Sequence, residues 1–265
     1  MNAVLKYPGA KWSIADWVIG YFPKHHSYLE PFFGSGGVFF RKDPSNIETI
    51  NDLDGEVVNL FECIKSDPER IARDVFFTPY SLEVYDATYD GAEPADPFVR
   101  ACRFLARCNM GHGFRTTGGR VGWKNDVCGR ERAYAARAWA DLPEVIVEAG
   151  ERLRGVQIEC TPAVKLIERF NSSDVLIYCD PPYLLSTRRG KQYRCEMTED
   201  DHLELLDAVK RHKGPVLISG YPSELYDTEL SGWTKAHTTA TDQLSQVKKE
   251  VLWMNFEPID QMRLF

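Results

Sequence analysis

The chain has 265 residues, 43% hydrophobic and 27% charged, which suits one large α/β domain with room for an inserted subdomain. No apolar run approaches the roughly 20 residues that a membrane-spanning helix needs, and no secretory signal pattern is present. The seven cysteines include no Cys-x-x-Cys pair and no zinc-ligand spacing, so we expect reduced thiols in a cytoplasmic protein without a metal site.

The net charge of −7 is unevenly distributed along the chain. Residues 100–137 contain nine basic and two acidic residues, and residues 184–195 contain four basic residues and no acid. Basic patches on an acidic protein still permit phosphate binding, because counterion release depends on the contacting face and not on the total charge. Solvated helix faces are the alternative interpretation of the first segment.

Hydrophobic periodicity predicts alternating helices and strands before residue 67 and again from residue 144. Between them, prolines and a glycine-rich basic loop interrupt the pattern. We therefore assign residues 1–66 and 144–265 to a main domain with a parallel, doubly wound sheet, and residues 67–143 to an inserted, mainly helical subdomain. Helices are predicted at 11–22, from 38 onward, at 55–65, 98–108, 130–140, up to 153, at 163–170 and at 199–211, and strands at 28–30, 47–50, 156–158, 175–179, 215–219 and 250–254.

The loop Glu30–Gly37 places glycines where a predicted strand turns toward a helix. Glycine lets the backbone approach a ligand closely and adopt positive φ, although the loop lacks the full Gly-x-Gly-x-x-Gly dinucleotide pattern. Asp52 follows at the tip of the next predicted strand, where an acid accepts hydrogen bonds from ribose hydroxyls. The alternative is that Asp52 is an ordinary turn or N-cap residue.

The tetrapeptide Asp180-Pro181-Pro182-Tyr183 directly follows the apolar run Val175–Cys179, which is typical of a strand buried on both faces. Neither proline can donate to a sheet, so the strand must end there. A carboxylate, backbone carbonyls and an aromatic face at the carboxyl end of a central strand suit a planar ring that bears an amine. A surface turn rich in proline is the alternative.

Four motifs follow one another along the chain: Tyr7-Pro8-Gly9-Ala10-Lys11, the loop Glu30–Gly37, Asn51-Asp52 and Asp180–Tyr183. Their order and spacing resemble those of the Dam-like DNA adenine-N6 methyltransferases, the D12 class. The resemblance continues through Met197–His202 and Lys248–Leu252 and so covers nearly the whole chain. It implies a Rossmann-like sheet that binds S-adenosylmethionine, with a DNA target-recognition subdomain inserted before the catalytic strand.

By position, the resemblance implies two groups of site residues, and the basic segments suggest a third. The catalytic group, which holds the adenine, is Asp180, Pro181, Pro182 and Tyr183. The methyl donor is bound by Tyr7, Lys11, Glu30, Phe32, Gly34, Ser35, Gly36, Asp52, Thr161 and Asp180. From the basic segments we expect contacts with double-stranded DNA at Arg115, Arg120, Trp123, Lys124, Asn125, Arg130, Arg188, Arg189 and Lys191.

The residues of the tetrapeptide suggest a mechanism. The lone pair of adenine N6 is delocalised into the ring, and acceptors at Asp180 and the Pro181 carbonyl favour a pyramidal nitrogen that can attack the methyl group. The carboxylate is already placed to stabilise the positive charge that develops there. Because the target atom is inaccessible in a duplex, the base must flip out of the helix, and Tyr183 supplies its stacking face.

Two segments depart from the family pattern. Cys160-Thr161-Pro162 replaces an acidic residue followed by Phe, and residues 108–125 echo the recognition region only loosely, so the DNA sequence read by the protein cannot be transferred. The alternatives are cytosine-N4 methylation, methylation of RNA or of a protein glutamine, and a methyltransferase-like DNA-binding protein without catalysis. No nuclease domain is recognisable, so we expect a modification enzyme of the restriction-modification kind without built-in cleavage. A monomer is a separate expectation.

Overall fold

The computed structural model describes residues 1–112, 116, 118–126, 134–188, 190–241 and 247–258. The chain forms two compact units. The helical unit comprises Met1–Ala10, Asp54–Arg154 and Gln192–Arg194, and the sheet unit comprises Lys11–Leu53, Gly155–Lys191 and Cys195–Phe265.

The sheet unit contains a seven-stranded sheet within the described residues, in the order β3-β2-β1-β4-β5-β7-β6. The first five strands pair in parallel, whereas β7 runs antiparallel to both β5 and β6. The strands are β1 Ser27–Glu30, β2 Ile47–Asn51, β3 Gln157–Glu159, β4 Val175–Cys179, β5 Val216–Gly220, β6 Thr234–Thr241 and β7 Val247–Met254.

The helices are divided between the two units. The helical unit contains α2 Gly55–Ser66, α3 Pro68–Phe77, α4 Leu82–Ala87, α5 Pro97–Met110, α6 Ala135–Ala140 and α7 Leu142–Leu153, and the sheet unit contains α1 Ala15–Ile19, α8 Ala163–Arg169, α9 Glu199–Lys210 and α10 Glu224–Glu229. No helix in the described part of the chain is both long and apolar enough to cross a membrane.

Strand β4 is central, and all five of its residues are buried, as its uninterrupted apolar run predicts. Val175, Ile177 and Cys179 face a core that includes Leu166 of α8 and Leu205 of α9. Each fully buried side chain of this kind contributes roughly 1.5–3 kcal/mol relative to an exposed one. The end of β4 is therefore a rigid point from which the next residues project.

A capping box begins α9, within the helix predicted at 199–211. The Thr198 hydroxyl accepts from the Asp201 N–H, and the Asp201 carboxylate accepts from the Thr198 N–H at 2.7 Å. Thr198 thus fixes where the helix begins. One turn into α9, His202 is fully buried and its Nδ1 lies 2.8 Å from the Tyr226 hydroxyl, in keeping with a structural role.

Three predicted elements of the sheet unit differ from the structure. The helix expected at 11–22 is limited to α1, and the segment from Val38 forms a single turn, because Pro44 follows too soon for a helix to extend. The sheet is not wholly parallel. Its last two strands form an antiparallel hairpin, and β6 escaped prediction because its side chains are mostly polar and small.

In the helical unit, α3 packs on α7 and α2 packs on α5. Gly150 of α7 permits the first of these contacts, since a Cβ atom there would lie 2.5 Å from Cβ of Pro68. The compact unit extends beyond the predicted insert, because it also includes Met1–Ala10, α2 and most of α7. The assignment of residues 67–143 to DNA target recognition stays a prediction.

Candidate active site

The candidate site lies at the carboxyl ends of β1 and β4, which are neighbours at the centre of the sheet. The connections from these strands lead to opposite halves of the sheet, and ligands bind at such a switch point in open α/β sheets. Here the chain places the Glu30–Gly37 loop after β1 and the Asp180–Tyr183 turn after β4.

Asp180 is held by two side chains. The Lys11 ammonium lies 2.9 Å from Asp180 Oδ1, and the Ser219 hydroxyl at the end of β5 donates to the same oxygen at 2.8 Å. The Lys11 side chain is 5% exposed and the Asp180 side chain 17%. Among the described residues, the hydrogen bonds to this carboxylate therefore end on Oδ1, which leaves Oδ2 as an acceptor for a ligand.

The Tyr183 ring is restrained on several sides. Its hydroxyl donates to Glu250 Oε2 at 2.7 Å. The Lys11 ammonium lies 4.7 Å from the ring centroid, and the Tyr221 ring meets it edge-on with centroids 4.6 Å apart. These contacts fix the plane of an aromatic ring beside the Asp180 carboxylate.

The charges of this cluster depend on one another. Burial alone would lower the pKa of Lys11, but the carboxylates of Asp180 and Glu250 outweigh burial and raise it. Burial raises the pKa of Glu250, against the opposing effects of the Lys11 charge and the Tyr183 hydroxyl. Lys11 is thus an ammonium ion shared between two carboxyl groups.

The glycine loop after β1 is joined to the end of β2. The Gly34 N–H donates to Asp52 Oδ2 at 2.8 Å, and both Gly34 and Gly36 adopt positive φ. A Cβ atom at Gly36 would lie 2.4 Å from the Phe33 ring, so only glycine fits there. Ser35 is also fixed, because its hydroxyl accepts from the Trp12 indole at 3.1 Å.

Asn51 fastens two loops at this edge of the sheet. Its amide nitrogen donates to the carbonyls of Pro31 at 2.9 Å and Thr161 at 3.0 Å, and its amide oxygen accepts from the Thr161 N–H at 2.8 Å. The side chain is 1% exposed. A buried amide with these bonds satisfied holds the segments that follow β1 and β3 in one arrangement.

Glu30 ends β1 in a buried polar cluster. Its carboxyl group is 2% exposed and accepts from the Tyr28 hydroxyl at 2.6 Å. Burial, reinforced by the negative charge of Asp180, raises the pKa of Glu30 to about 8, although the hydrogen bond from Tyr28 opposes this shift. Glu30 is therefore largely protonated at neutral pH.

The remaining predicted donor-binding residues, Phe32, Thr161 and Tyr7, lie in different parts of the structure. Phe32 is half-buried and packs against the core below β4. Thr161 is half-buried in the segment that Asn51 fastens. Tyr7 belongs to the helical unit, where its hydroxyl donates to Asp54 at 3.5 Å.

The predicted DNA-binding residues fall into three groups. Arg115, Arg130 and Arg189 lie outside the described residues. Arg120, Asn125 and Lys191 are exposed, and Lys124 is half-buried; Arg120 also forms an ion pair with Asp86. Trp123 is half-buried, packs on Tyr80 with ring centroids 5.9 Å apart, and has a buried Nε1 without a hydrogen-bond partner in the described part of the chain.

Arg188 differs from the other predicted DNA-binding residues because its side chain is only 7% exposed. It forms an ion pair with Glu196, and its Nε donates to the Tyr183 carbonyl at 2.7 Å. This arrangement suits a residue that positions the turn after β4 rather than one that contacts phosphate. Nothing in the sequence distinguishes Arg188 from the exposed basic residues near it.

Two residues of the site received no role from the sequence. Asn51 adjoins the predicted Asp52, and Glu250 lies in the predicted strand 250–254, which overlaps the Lys248–Leu252 segment of the resemblance. Ser219, in the predicted strand 215–219, also belongs to the site because its hydroxyl donates to Asp180. The signal for Glu250 is its place at the start of the apolar run 250–254, because an acid buried with such a run needs a partner.

The mostly parallel seven-stranded sheet, with an acid-Pro-Pro-Tyr turn at its central strand, is a Rossmann-like methyltransferase fold. A family model described as D12 class N6 adenine-specific DNA methyltransferase matches residues 7–243. The chain belongs to this family of DNA-methylating enzymes, as its sequence motifs predict. Within the described residues, no group of three or more His, Cys, Asp or Glu side chains is arranged to hold a metal ion.

Several similar proteins are named DNA adenine methylase. The chain is 27% identical over 237 residues to the DNA adenine methylase of Salmonella typhi, covering 84% of this chain and 82% of that protein. It is 26% identical over 237 residues to the DNA adenine methylase of Escherichia coli K12, with the same coverage. For the enzyme of Vibrio cholerae O395 the identity is 26% over 220 residues, covering 79% and 76%.

Proposed function

We propose that this enzyme transfers a methyl group from S-adenosylmethionine to N6 of an adenine that has flipped out of a specific site in double-stranded DNA. The observation that carries the proposal is the orientation of Asp180. Lys11 and Ser219 restrain its Oδ1, and Oδ2 remains as an acceptor beside the fixed ring of Tyr183.

The residues after β1 and β2 fit the proposed methyl donor. S-adenosylmethionine contains a ribose whose hydroxyls need an acceptor. Asp52 directly follows β2, with its carboxylate anchored through Oδ2 to the Gly34 N–H. The positive φ of Gly34 and Gly36 turns the loop tightly above the sheet. When bound, the donor supplies an electrophilic methyl group on its sulfonium.

We assign the remaining donor contacts to the same edge of the sheet, at Lys11, Glu30, Phe32, Ser35 and Thr161. Protonated Glu30 has an O–H to donate as well as a carbonyl oxygen to accept. Tyr7 is also proposed as a donor contact, on the resemblance of the segment 7–11 to the family motif.

The acceptor set acts on the amine of the target base. Asp180 Oδ2 and the Pro181 carbonyl each accept one N–H of adenine N6, which directs the nitrogen lone pair toward the methyl group. The carboxylate then stabilises the positive charge that develops on N6, and its orientation is fixed beforehand. The departing proton passes to Asp180 or to water.

A flipped base stacks on Tyr183. Such stacking contributes roughly 1–3 kcal/mol per base, which offsets part of the few kcal/mol that unstacking costs. Phosphate contacts from exposed basic residues, including Arg120 and Lys191, supply the remainder. Arg188 is removed from this group and is proposed to position the Tyr183 turn.

We further propose that the enzyme acts as a cytoplasmic monomer within a modification system. A single copy of the sheet unit supplies Asp180, Lys11, Ser219 and Tyr183, so the acceptor set needs no second subunit. Cysteines without a disulfide pattern and a DNA substrate favour the cytoplasm.

Calorimetric titration with S-adenosylmethionine tests the donor site directly. We expect saturable binding by the wild-type protein and binding weakened roughly 10- to 100-fold by Asp52→Asn, which loses a charged acceptor. Asp43→Asn is the matched control, because Asp43 is an exposed acid outside the site, and it should bind as the wild type does. Absence of saturable binding by the wild-type protein would contradict the proposed donor.

A further inference from the structure

Glu250 is a buried acid that the proposed chemistry does not use directly. It lies in β7, one residue before Val251, which pairs with Gly220 at the end of β5. The residue is 5% exposed, and its Oε2 accepts the Tyr183 hydroxyl at 2.7 Å. Burying a carboxyl group is costly unless its partners compensate, so this contact needs an explanation.

Stacking alone does not require the Tyr183 hydroxyl, because a phenylalanine ring offers the same face to a base. The hydroxyl bond instead limits rotation of the ring about its side-chain torsions. The Tyr221 ring, with its centroid 4.6 Å from that of Tyr183, and the Lys11 ammonium, 4.7 Å from the Tyr183 centroid, restrain the ring further. Glu250 supplies the strong, charge-assisted bond among these restraints.

Glu250 also belongs to the electrostatics of the acceptor set. Its carboxyl group, together with Asp180, raises the pKa of the buried Lys11, which burial alone would lower. Among the described residues, the charges of Lys11 and Asp180 and the hydroxyl of Tyr183 act on Glu250.

We propose that Glu250 is a positioning residue for methyl transfer, which fixes the plane of the Tyr183 ring through the phenol hydroxyl so that the target base stacks with its amine at Asp180. The inference rests on the proposed function and adds a residue to it. Glu250 touches neither base nor methyl donor in this assignment. It positions the ring through the Tyr183 hydroxyl, and its charge also supports the Lys11 ammonium.

A double-mutant cycle tests whether Glu250 acts through the hydroxyl. Glu250→Ala removes the acceptor and Tyr183→Phe removes the donor, so each should lower kcat roughly 10- to 100-fold, the value of one charge-assisted hydrogen bond. The double variant should be no slower than the slower single variant, because both changes remove the same bond. The KM for S-adenosylmethionine should stay at the wild-type value in all three.

Two further variants separate positioning from general stability. Glu250→Gln keeps an oxygen that accepts the Tyr183 hydroxyl and should recover most of the kcat lost in Glu250→Ala. Glu224→Ala, at an exposed acid that begins α10, should retain the wild-type rate.

Several results would overturn the inference. One is a double variant whose loss equals the product of the two single losses, and another is wild-type kcat in Glu250→Ala. If Glu250→Ala does not fold, Tyr183→Phe decides alone, because a wild-type kcat in that variant excludes a role for the hydroxyl bond. Failure of the wild-type enzyme to methylate adenine would instead refute the proposed function, so the two failures are distinguishable.

Discussion

The Lys11 ammonium lies 2.9 Å from Asp180 Oδ1, and Lys11 is almost completely buried. Asp180 therefore has one oxygen committed to a fixed cation, and its other oxygen is oriented without any bound ligand. A carboxylate restrained in this way loses little freedom when a base amine binds, which is what electrostatic preorganisation requires.

Lys11→Met keeps much of the side-chain volume and removes the charge. Breaking a buried ion pair by removing one partner costs roughly 3–5 kcal/mol, and we expect somewhat less here because Asp180 is 17% exposed. Turnover should fall as Asp180 loses its orientation. Urea denaturation and single-turnover kinetics measure the two effects. Lys210→Met breaks a surface pair with Glu229 and should cost at most about 1 kcal/mol, so equal losses in both variants would contradict a buried pair.

Asp180→Asn preserves the shape of the side chain and removes its charge. We expect methyl transfer to fall roughly 100- to 1000-fold, because one preorganised charge no longer stabilises the transition state. Asp180→Ala should abolish transfer. Both variants should bind S-adenosylmethionine nearly as the wild type does, as judged by calorimetry. Near-normal turnover in either variant would exclude the role given to Asp180.

Asn51→Asp tests the junction between the loops after β1 and β3. The substitution keeps the acceptor for the Thr161 N–H and removes the donor to the Pro31 and Thr161 carbonyls. We expect S-adenosylmethionine affinity to fall roughly tenfold. The two loops are then held less firmly, at a free-energy cost similar to that of one hydrogen bond. Asn171→Asp is the control, since Asn171 makes similar backbone bonds to Arg211 and Lys213. Equal S-adenosylmethionine affinities in the two variants would show that Asn51 does not support the donor site.

Glu30 predicts a pH dependence of stability. The pKa of Glu30 in the folded protein is about 8, well above that of an ordinary glutamate. At pH values between these two pKa values, the folded protein holds a proton that the unfolded chain releases. The free energy of unfolding must then fall as pH rises, by at most about 1.4 kcal/mol per pH unit from this group. Glu30→Gln stays neutral and should lose less stability between pH 6 and pH 8 in urea titrations. Parallel curves for Glu30→Gln and wild type would show that Glu30 does not hold this proton.

Arg120 provides a test of the basic segment in DNA binding. It is 57% exposed, and its pair with Asp86 lies at the surface. Arg120→Ala should reduce the slope of log affinity against log salt by about 1, because one fewer counterion is released. Arg154→Ala removes an arginine that is 75% exposed at the end of α7 and should leave the slope unchanged. An unchanged slope in Arg120→Ala would remove this residue from the interface.

Much of the fold was predictable because its signals are local. The apolar run of β4 followed by two prolines, and the Thr198–Asp201 capping box, are complete within a few neighbouring residues. Strand β6 was not predictable in this way, since its stability comes from pairing with β7 and not from an apolar pattern.

The site was only partly predictable, because its restraints join residues far apart in the chain. The Tyr183–Glu250 bond spans 67 positions, and the Asn51–Thr161 bonds span 110. Charge counting likewise failed to distinguish Arg188, whose side chain is buried against Glu196, from exposed arginines. The sequence gives the number of charged side chains, but whether each of them is exposed to solvent depends on the fold.

The most direct test of the central claim is mass spectrometry of nucleosides from unmodified double-stranded DNA, after incubation with the enzyme and isotopically labelled S-adenosylmethionine. The account predicts labelled N6-methyladenine in the wild-type reaction and its loss with Asp180→Ala. Labelled N4-methylcytosine in place of N6-methyladenine, or no labelled nucleoside at all, would contradict it.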